Sequence, residues 1–190
     1  SGNLVPSSSI FSPIRGFGTI LDTARLRYGL SEHFKVAQGN IHAYVFGEHG
    51  DTSFIPWTGA YISGLSTDEY YEEMKAHGKD VKPLDKEAML EYVQKSGGKV
   101  IAKKGATFYA VSATVCQLVG LILAASDSLA TVSSMLHGEY GIEDVCLSTL
   151  TLVGPNGIQG KVQMRMNKEE VALLKKSADA LKEVIAQIEL

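Results

Sequence analysis

From Gly105 to Ser126 the chain carries no charged side chain. A run of that length can cross a bilayer, so it forces a choice between lipid and a packed interior. Thr107, Ser112, Thr114, Gln117 and two glycines interrupt it, and its aromatic residues, Phe108 and Tyr109, both sit at the start. A membrane span more often carries aromatic rings at both interfaces. The run therefore reads as a long helix, about Ala106 to Asp127, buried in a water-soluble protein. The remaining composition agrees. A chain of 190 residues suits one domain, and 45% hydrophobic against 21% charged residues is a globular balance. It excludes a disordered polyelectrolyte, a collagen-like repeat and a disulfide-dense mini-protein. The net charge is −3, and the lysines are scattered (Lys99, Lys103, Lys104, Lys175, Lys176) as on solvated faces. Nothing here has the basic footprint of a nucleic-acid binder. Cys116 and Cys146 stand alone in apolar stretches without CxxC spacing. They read as two buried thiols of a reducing compartment, with neither a disulfide nor a zinc site.

Residues 1–18 are rich in Ser, Gly and Pro and lack periodicity, so they read as an irregular tail ahead of a domain over 19–190. They contain no basic region followed by an apolar core, so no secretory leader is read there. Leu21, Leu26 and Leu30 alternate with Asp22, Arg25, Arg27 and Glu32, which predicts a helix over Ile20–Phe34. Ile41 to Phe46 reads as a strand running into Gly47-Glu48-His49-Gly50-Asp51, whose two glycines make it a loop. Phe54 to Ile62 reads as extended, and a short helix starts at Thr67-Asp68-Glu69. Asp85 to Ala102 reads as a helix with Met89, Tyr92, Val93, Val100 and Ile101 inward, weakened by Gly97-Gly98. Leu129–Leu136 and Val145–Val153 are strand-like, and Gly154-Pro155-Asn156-Gly157 turns the second into Ile158–Met166. Asn167 and Glu170 form a capping pair for a last helix with one apolar stripe from Val171 to Ile188. Helices and antiparallel strands in this order make the fold class α+β. No GxGxxG and no GxxxxGK[ST] occurs, so the chain has no dinucleotide or P-loop fold of its own.

Two groups of residues can do chemistry. His49, on a glycine-flanked loop, is either a proton carrier that titrates near neutrality or a solvent-exposed side chain without a role. Asp22 and Arg25, three apart on a helix, share a face. They are either a surface ion pair of little worth, or they divide a task. In the second case Asp22 orients a histidine and favours its charged form, and Arg25 grips a substrate carboxylate by two parallel hydrogen bonds. His33 and His77 read as surface residues and His137 as structural. No metal site is expected.

Taken together, Leu21-Asp22-Thr23-Ala24-Arg25 and Gly47-Glu48-His49-Gly50-Asp51-Thr52 closely resemble the substrate half of L-lactate dehydrogenases. The resemblance continues through Pro56-Trp57, Lys104-Gly105-Ala106-Thr107-Phe108-Tyr109-Ala110 and Val153-Gly154-Pro155-Asn156-Gly157-Ile158, and covers about residues 16–190. It implies the C-terminal-domain fold of the lactate/malate dehydrogenase superfamily, with long helices packed on antiparallel strands. It implies that His49 passes a proton to the carbonyl oxygen of pyruvate, that Asp22 orients His49, that Arg25 holds the carboxylate and that Thr107 lies near the substrate methyl. The reaction implied is the reversible reduction of pyruvate to L-lactate by NADH. Most of the NAD site then lies in an N-terminal half that this chain lacks, and no cofactor-binding residue is expected here. Arg27 and His42 match a basic pair that in many bacterial relatives binds fructose 1,6-bisphosphate between subunits, which implies a cytoplasmic homotetramer under allosteric control. Glu48 and Trp57 resemble the lactate rather than the malate branch.

Some positions depart from the family. Phe46 stands where a smaller aliphatic residue is usual, which is expected to change packing behind the loop. Residues 1–15 do not resemble the family. Without the nucleotide-binding half the isolated chain is expected to be inactive and, with an uncovered apolar face, to associate. The alternatives are a non-catalytic binding or assembly remnant of the family, or a malate dehydrogenase-like 2-hydroxy acid dehydrogenase.

Overall fold

In the computed structural model, residues 4–6, 16–124 and 126–188 are described. In chain order they form β1 (Leu4–Pro6), α1 (Ile20–Phe34), β2 (Ile41–His42), β3 (Tyr61–Ile62), β4 (Leu65–Ser66), α2 (Thr67–Ala76), α3 (Lys86–Lys104) and α4 (Tyr109–Leu123). Then come β5 (Ser128–Ala130), β6 (Ser133–His137), β7 (Glu143–Ser148), β8 (Thr151–Gly154), β9 (Gly157–Val162) and α5 (Lys168–Ala186). Three small sheets result, ordered β1-β9-β8-β5, β2-β3-β4 and β6-β7, and every ladder among the described residues is antiparallel. This is the α+β class that the order of elements predicts.

Helix α1 organises the rest. Ile20, Thr23, Leu26, Leu30 and Phe34 recur three or four apart and are buried, while Arg27 and Tyr28 between them reach the surface. Leu26, Leu30 and Phe34 pack on Ile41, Ala43, Val45, Ile55, Ile62 and Val93 in one core; Ile20 reaches a second with Leu118, Val132, Val153 and Ile158. Burying one such aliphatic side chain contributes roughly 1.5–3 kcal/mol. The first turn is also pinned by polar bonds. Thr19 donates its hydroxyl to the Val45 carbonyl, the Val45 N–H donates to Thr23 Oγ1 at 3.0 Å, and Thr23 Oγ1 lies 3.1 Å from Thr131 Oγ1. Asp22 therefore sits on a turn that cannot shift without breaking buried hydrogen bonds.

The helix ends follow from the residues there. Ser66 with Glu69, and Asn167 with Glu170, form capping boxes for α2 and α5; Asp85 caps α3 by accepting the Ala88 N–H. Gly105 closes α3 at φ +76. Within α3, Gly97 and Gly98 cost helix stability, and a Cβ on Gly98 would have nothing within 4 Å. Gly98→Ala is therefore expected to raise stability by about 0.5–1 kcal/mol in urea unfolding. An unchanged or lower value would mean that α3 frays at this point.

Several expectations need correction. The charge-free helix is shorter than 106–127 and is not buried: only Thr114 and Leu118 of α4 are, whereas Tyr109 is 82% and Leu123 78% exposed. One face meets β8 and α1, and nothing among the described residues covers the other. No helix of the described residues is long and apolar enough to cross a membrane. Both thiols are free, but Cys116 is exposed and Cys146 half-buried. Val100 and Ile101 of α3 are exposed rather than inward, and the α5 stripe is lost at Ile185 and Ile188. The strand expected over Ile41–Phe46 pairs only at Ile41–His42, because Val45 bonds to Thr23 of α1 and Phe46 forms a single bridge with Phe54. The strands expected over 129–136 and 145–153 are each broken in two. Residues expected as an irregular tail include a strand, Leu4–Pro6, paired with Val162–Gly160 of β9; residues 1–3 and 7–15 lie outside the described residues.

Candidate active site

Asp22 brings the predicted residues together. Its carboxylate is nearly wholly buried, and each oxygen has its own partner. Arg25 Nη1 donates to Oδ1 at 2.9 Å, one turn along α1. His49 Nδ1 lies 2.5 Å from Oδ2, across from the loop. The ring that meets this buried carboxylate is itself 61% exposed, so its other edge can reach a ligand. The pair is therefore not a solvated surface contact. A carboxylate sunk in the protein and held at both oxygens orients an imidazole whose second nitrogen is free for chemistry.

The electrostatics follow from that contact. The hydrogen bond to Asp22, reinforced by its charge and that of Glu48, holds His49 above the ordinary value of 6.5, against the opposing effects of partial burial and Arg25. The contact with Asp22 thus favours the protonated form of the imidazole.

Asp22, Arg25, His49 and Thr107 line one cavity of about 250 Å³, with Gly97, Gly98, Ile101 and Val111 on the helical side. Its size suits a small molecule of a few heavy atoms. Arg25 is partly open to it, and Gly97 brings α3 so close that a methyl there would stand 3.5 Å from Nη2. Thr107, half-buried, lies on the approach to α4. Gln94 also faces this cavity, and sequence reading missed it. Its Nε2 donates to the Ser53 carbonyl at 2.9 Å and the Asp51 carbonyl at 3.2 Å, tying α3 to the end of the loop. An amide among the inward residues of α3 was the only sign. Among the described residues no group of three or more His, Cys, Asp or Glu is placed to hold a metal.

The loop is shaped by its glycines and by what lies behind it. Gly47 adopts φ +96 and exchanges both backbone hydrogen bonds with Ser148 at 3.0 Å. Phe46 is fully buried and meets Phe54 edge-to-face at 6.4 Å, in a core with Leu136, Leu147 and Leu174. The phenyl ring is thus packed behind the loop and does not line the cavity.

Arg27 and His42 do not reach this cavity. Arg27 Nε donates to the Ala43 carbonyl at 3.1 Å, and its guanidinium lies 5.1 Å over the Tyr44 ring. His42 is exposed on β2, next to that carbonyl in the chain. His33 Nε2 lies 2.9 Å from the Lys82 carbonyl, and the His77 and His137 rings are exposed.

Residues 19–189 match the family described as lactate/malate dehydrogenase, alpha/beta C-terminal domain. The chain is 44% identical to the L-lactate dehydrogenase of Acetivibrio thermocellus over 92% of its own length and 54% of that protein. It is 42% identical to L-lactate dehydrogenase 1 of Clostridium acetobutylicum over 93% of its length and 56% of that one. Among solved structures it superposes on the L-lactate dehydrogenase of Clostridium thermocellum with a TM-score of 0.81 at 33% identity, covering 92% of this chain and 55% of that one. The chain spans about half the length of the curated relatives it matches. With its fold, its motifs and these likenesses in agreement, the chain belongs to the lactate/malate dehydrogenase family, as the alpha/beta C-terminal domain.

Proposed function

We propose that this chain is the substrate-binding and proton-transferring half of an L-lactate dehydrogenase. The observation that carries the reading is the shared carboxylate: Asp22 touches both His49 and Arg25 at the mouth of one small cavity. Arg25 pairs with a substrate carboxylate through the fork of its guanidinium. His49, with Nδ1 taken by Asp22, gives a proton from Nε2 to the carbonyl oxygen of a 2-oxo acid, and takes it back from the hydroxyl in the reverse direction. Asp22 keeps the ring in place and stabilises its charged form. Thr107 limits the space left for the substrate's side chain.

The described residues do not fit a dinucleotide. Their ladders are antiparallel, and the chain has no glycine-rich phosphate loop. NADH, which supplies the hydride, is on this reading held by residues outside this chain. Pyruvate is favoured over larger oxo-diacids by the resemblance of Glu48 and Trp57 to the lactate branch, and the relatives reported above are named as L-lactate dehydrogenases. Fructose 1,6-bisphosphate is proposed as an effector at Arg27 and His42; in support, Arg27 donates to the carbonyl of Ala43, the residue that follows the exposed His42. Two such pairs from neighbouring subunits of a cytoplasmic tetramer make a four-group anion site.

NADH oxidation with pyruvate tests this, with and without the bisphosphate, for the chain alone and fused behind the first half of the Acetivibrio thermocellus relative. The expected result is no turnover by the chain alone, and turnover by the fusion that His49→Asn abolishes. A folded fusion without turnover would support a non-catalytic assembly role. Preference for oxaloacetate would support the malate branch. Turnover by the chain alone at the fusion's level would overturn the division of labour.

A further inference from the structure

The loop that carries His49 rests on the last helix. Ser177, midway along α5, is wholly buried, and its Oγ accepts the Glu48 N–H at 2.8 Å. Thr52 Oγ1 lies 3.0 Å from the same oxygen and 2.6 Å from Glu48 Oε1, and the Thr52 N–H also donates to that carboxylate, at 3.2 Å. Each hydroxyl has one proton. The carboxylate is the nearer acceptor for the Thr52 proton, and the Ser177 oxygen lies within hydrogen-bond reach of the same hydroxyl. The two residues tied to Ser177 bracket His49 in the chain.

The backbone approach is equally close. A Cβ on Gly47 would stand 2.8 Å from Ser177 Oγ, so the glycine lets the loop settle onto the hydroxyl. Helix α5 is itself anchored: the buried carboxylate of Glu170 accepts the Thr58 N–H at 3.0 Å as well as capping the helix. On the other side of the His49 contact, Asp22 is held by the pinned first turn of α1. The loop is thus the part of the His49–Asp22 contact that depends on outside support.

We propose that Ser177 is a positioning residue that, through Glu48 and Thr52, holds the loop at the place where His49 meets Asp22. Helix α5, far from the proton-transfer residues in sequence, is then part of their support. The functional weight of this role rests on the reading of His49 as the proton carrier; the positioning itself does not.

The test is the titration of His49 by NMR in the whole chain without substrate, for the wild type, Ser177→Ala and Ala178→Gly. The charged and titratable groups that face the imidazole or share a cavity with it are Asp22 and Arg25 of α1, Glu48 and Asp51 of its own loop, and Asp144 and Cys146 across a neighbouring cavity, and none is altered by these variants. In Ser177→Ala, His49 is expected to move back toward 6.5, and the Glu48 amide to exchange about tenfold faster, as for one lost hydrogen bond of ordinary worth. Ala178→Gly loosens the same turn of α5 and is expected to lower stability while leaving both readouts in place. An unchanged titration in Ser177→Ala, or an equal shift in Ala178→Gly, would overturn the proposal. Should Ser177→Ala not fold, Thr52→Val, which removes the bridging hydroxyl and keeps the shape, must shift His49 the same way, and no shift there would also overturn it. Because no substrate is present, a chain that passes this test while the folded fusion shows no turnover would refute the dehydrogenase reading alone.

Discussion

Asp22→Asn is expected to return His49 to an ordinary or lower titration and, in a fusion carrying the nucleotide-binding half, to cut turnover by about 10²–10⁴-fold, the usual worth of a positioned acid or base. The hydrogen bond to Asp22 is the main cause that raises His49, and Arg25 opposes it. The amide is uncharged, so the opposing guanidinium is left without its partner. A stability effect follows with a definite sign. A histidine raised on folding binds its proton more tightly in the folded state. The stabilisation is complete below 6.5, the unfolded value, and is lost as pH rises through the folded value. The wild type should therefore lose stability across that window, by an amount limited by solvent screening of a ring this exposed. Asp22→Asn should show no such loss. Urea unfolding at a series of pH values, alongside the NMR titration, checks both statements. A variant that keeps the wild-type pH dependence would show that Asp22 does not control His49.

Lys161→Met is expected to destabilise the fold by about 3–5 kcal/mol, the typical result of removing one partner of a buried ion pair. Lys161 on β9 and Glu139 after β6 are each only 6% exposed, and their charged groups are 3.8 Å apart. Lys161 Nζ also donates to the Met135 carbonyl, and Glu139 accepts the His137 N–H at 2.6 Å, so the pair ties β9 to the bulged end of β6. Burial holds the Lys161 ammonium below the ordinary 10.5, against the pull of Glu139. The cost of the single variant comes from leaving the buried Glu139 carboxyl without its cationic partner. Adding Glu139→Gln removes that charge and should recover most of the loss, because an uncharged pair of similar volume is often as stable as a buried ion pair. Urea midpoints of the two single variants and the double variant measure the coupling. A loss below about 1 kcal/mol for Lys161→Met would mean that water reaches the pair.

Where local chemistry was strong, the sequence was readable. The leucine spacing of α1 predicted its bounds as found, and Asn167 with Glu170 predicted the start of α5. Asp22, Arg25 and His49 were legible as candidates because a carboxylate and a guanidinium three apart must share a helix face, and two glycines must break a strand. Their meeting was not legible from spacing and was implied only by the family resemblance: His49 is 27 residues from Asp22, and the pinning of α1 against residues 45 and 131 helps to put them in contact. Ser177 and Gln94 left almost no trace, since a serine or glutamine inside a helix has the same local pattern whether it faces solvent or a loop.

The largest misreading has the same origin. The apolarity of Gly105–Ser126 requires burial against something, but hydropathy does not say whether the partner lies within the chain. Among the described residues only one face of α4 is covered. Likewise Ile41–Phe46 has the residues of a strand, yet ladder pairing depends on which backbone groups are still free after α1 has taken the Val45 N–H. The sequence by itself determined where the helices lie to within a few residues, the cap of α5, the α+β class and which side chains could exchange a proton or bind a carboxylate, because these follow from spacing and chemistry within a few residues. The tertiary structure decided which strands pair, which apolar faces stay open and which groups share Asp22. Those outcomes depend on hydrogen-bonding groups and surfaces contributed from distant parts of the chain.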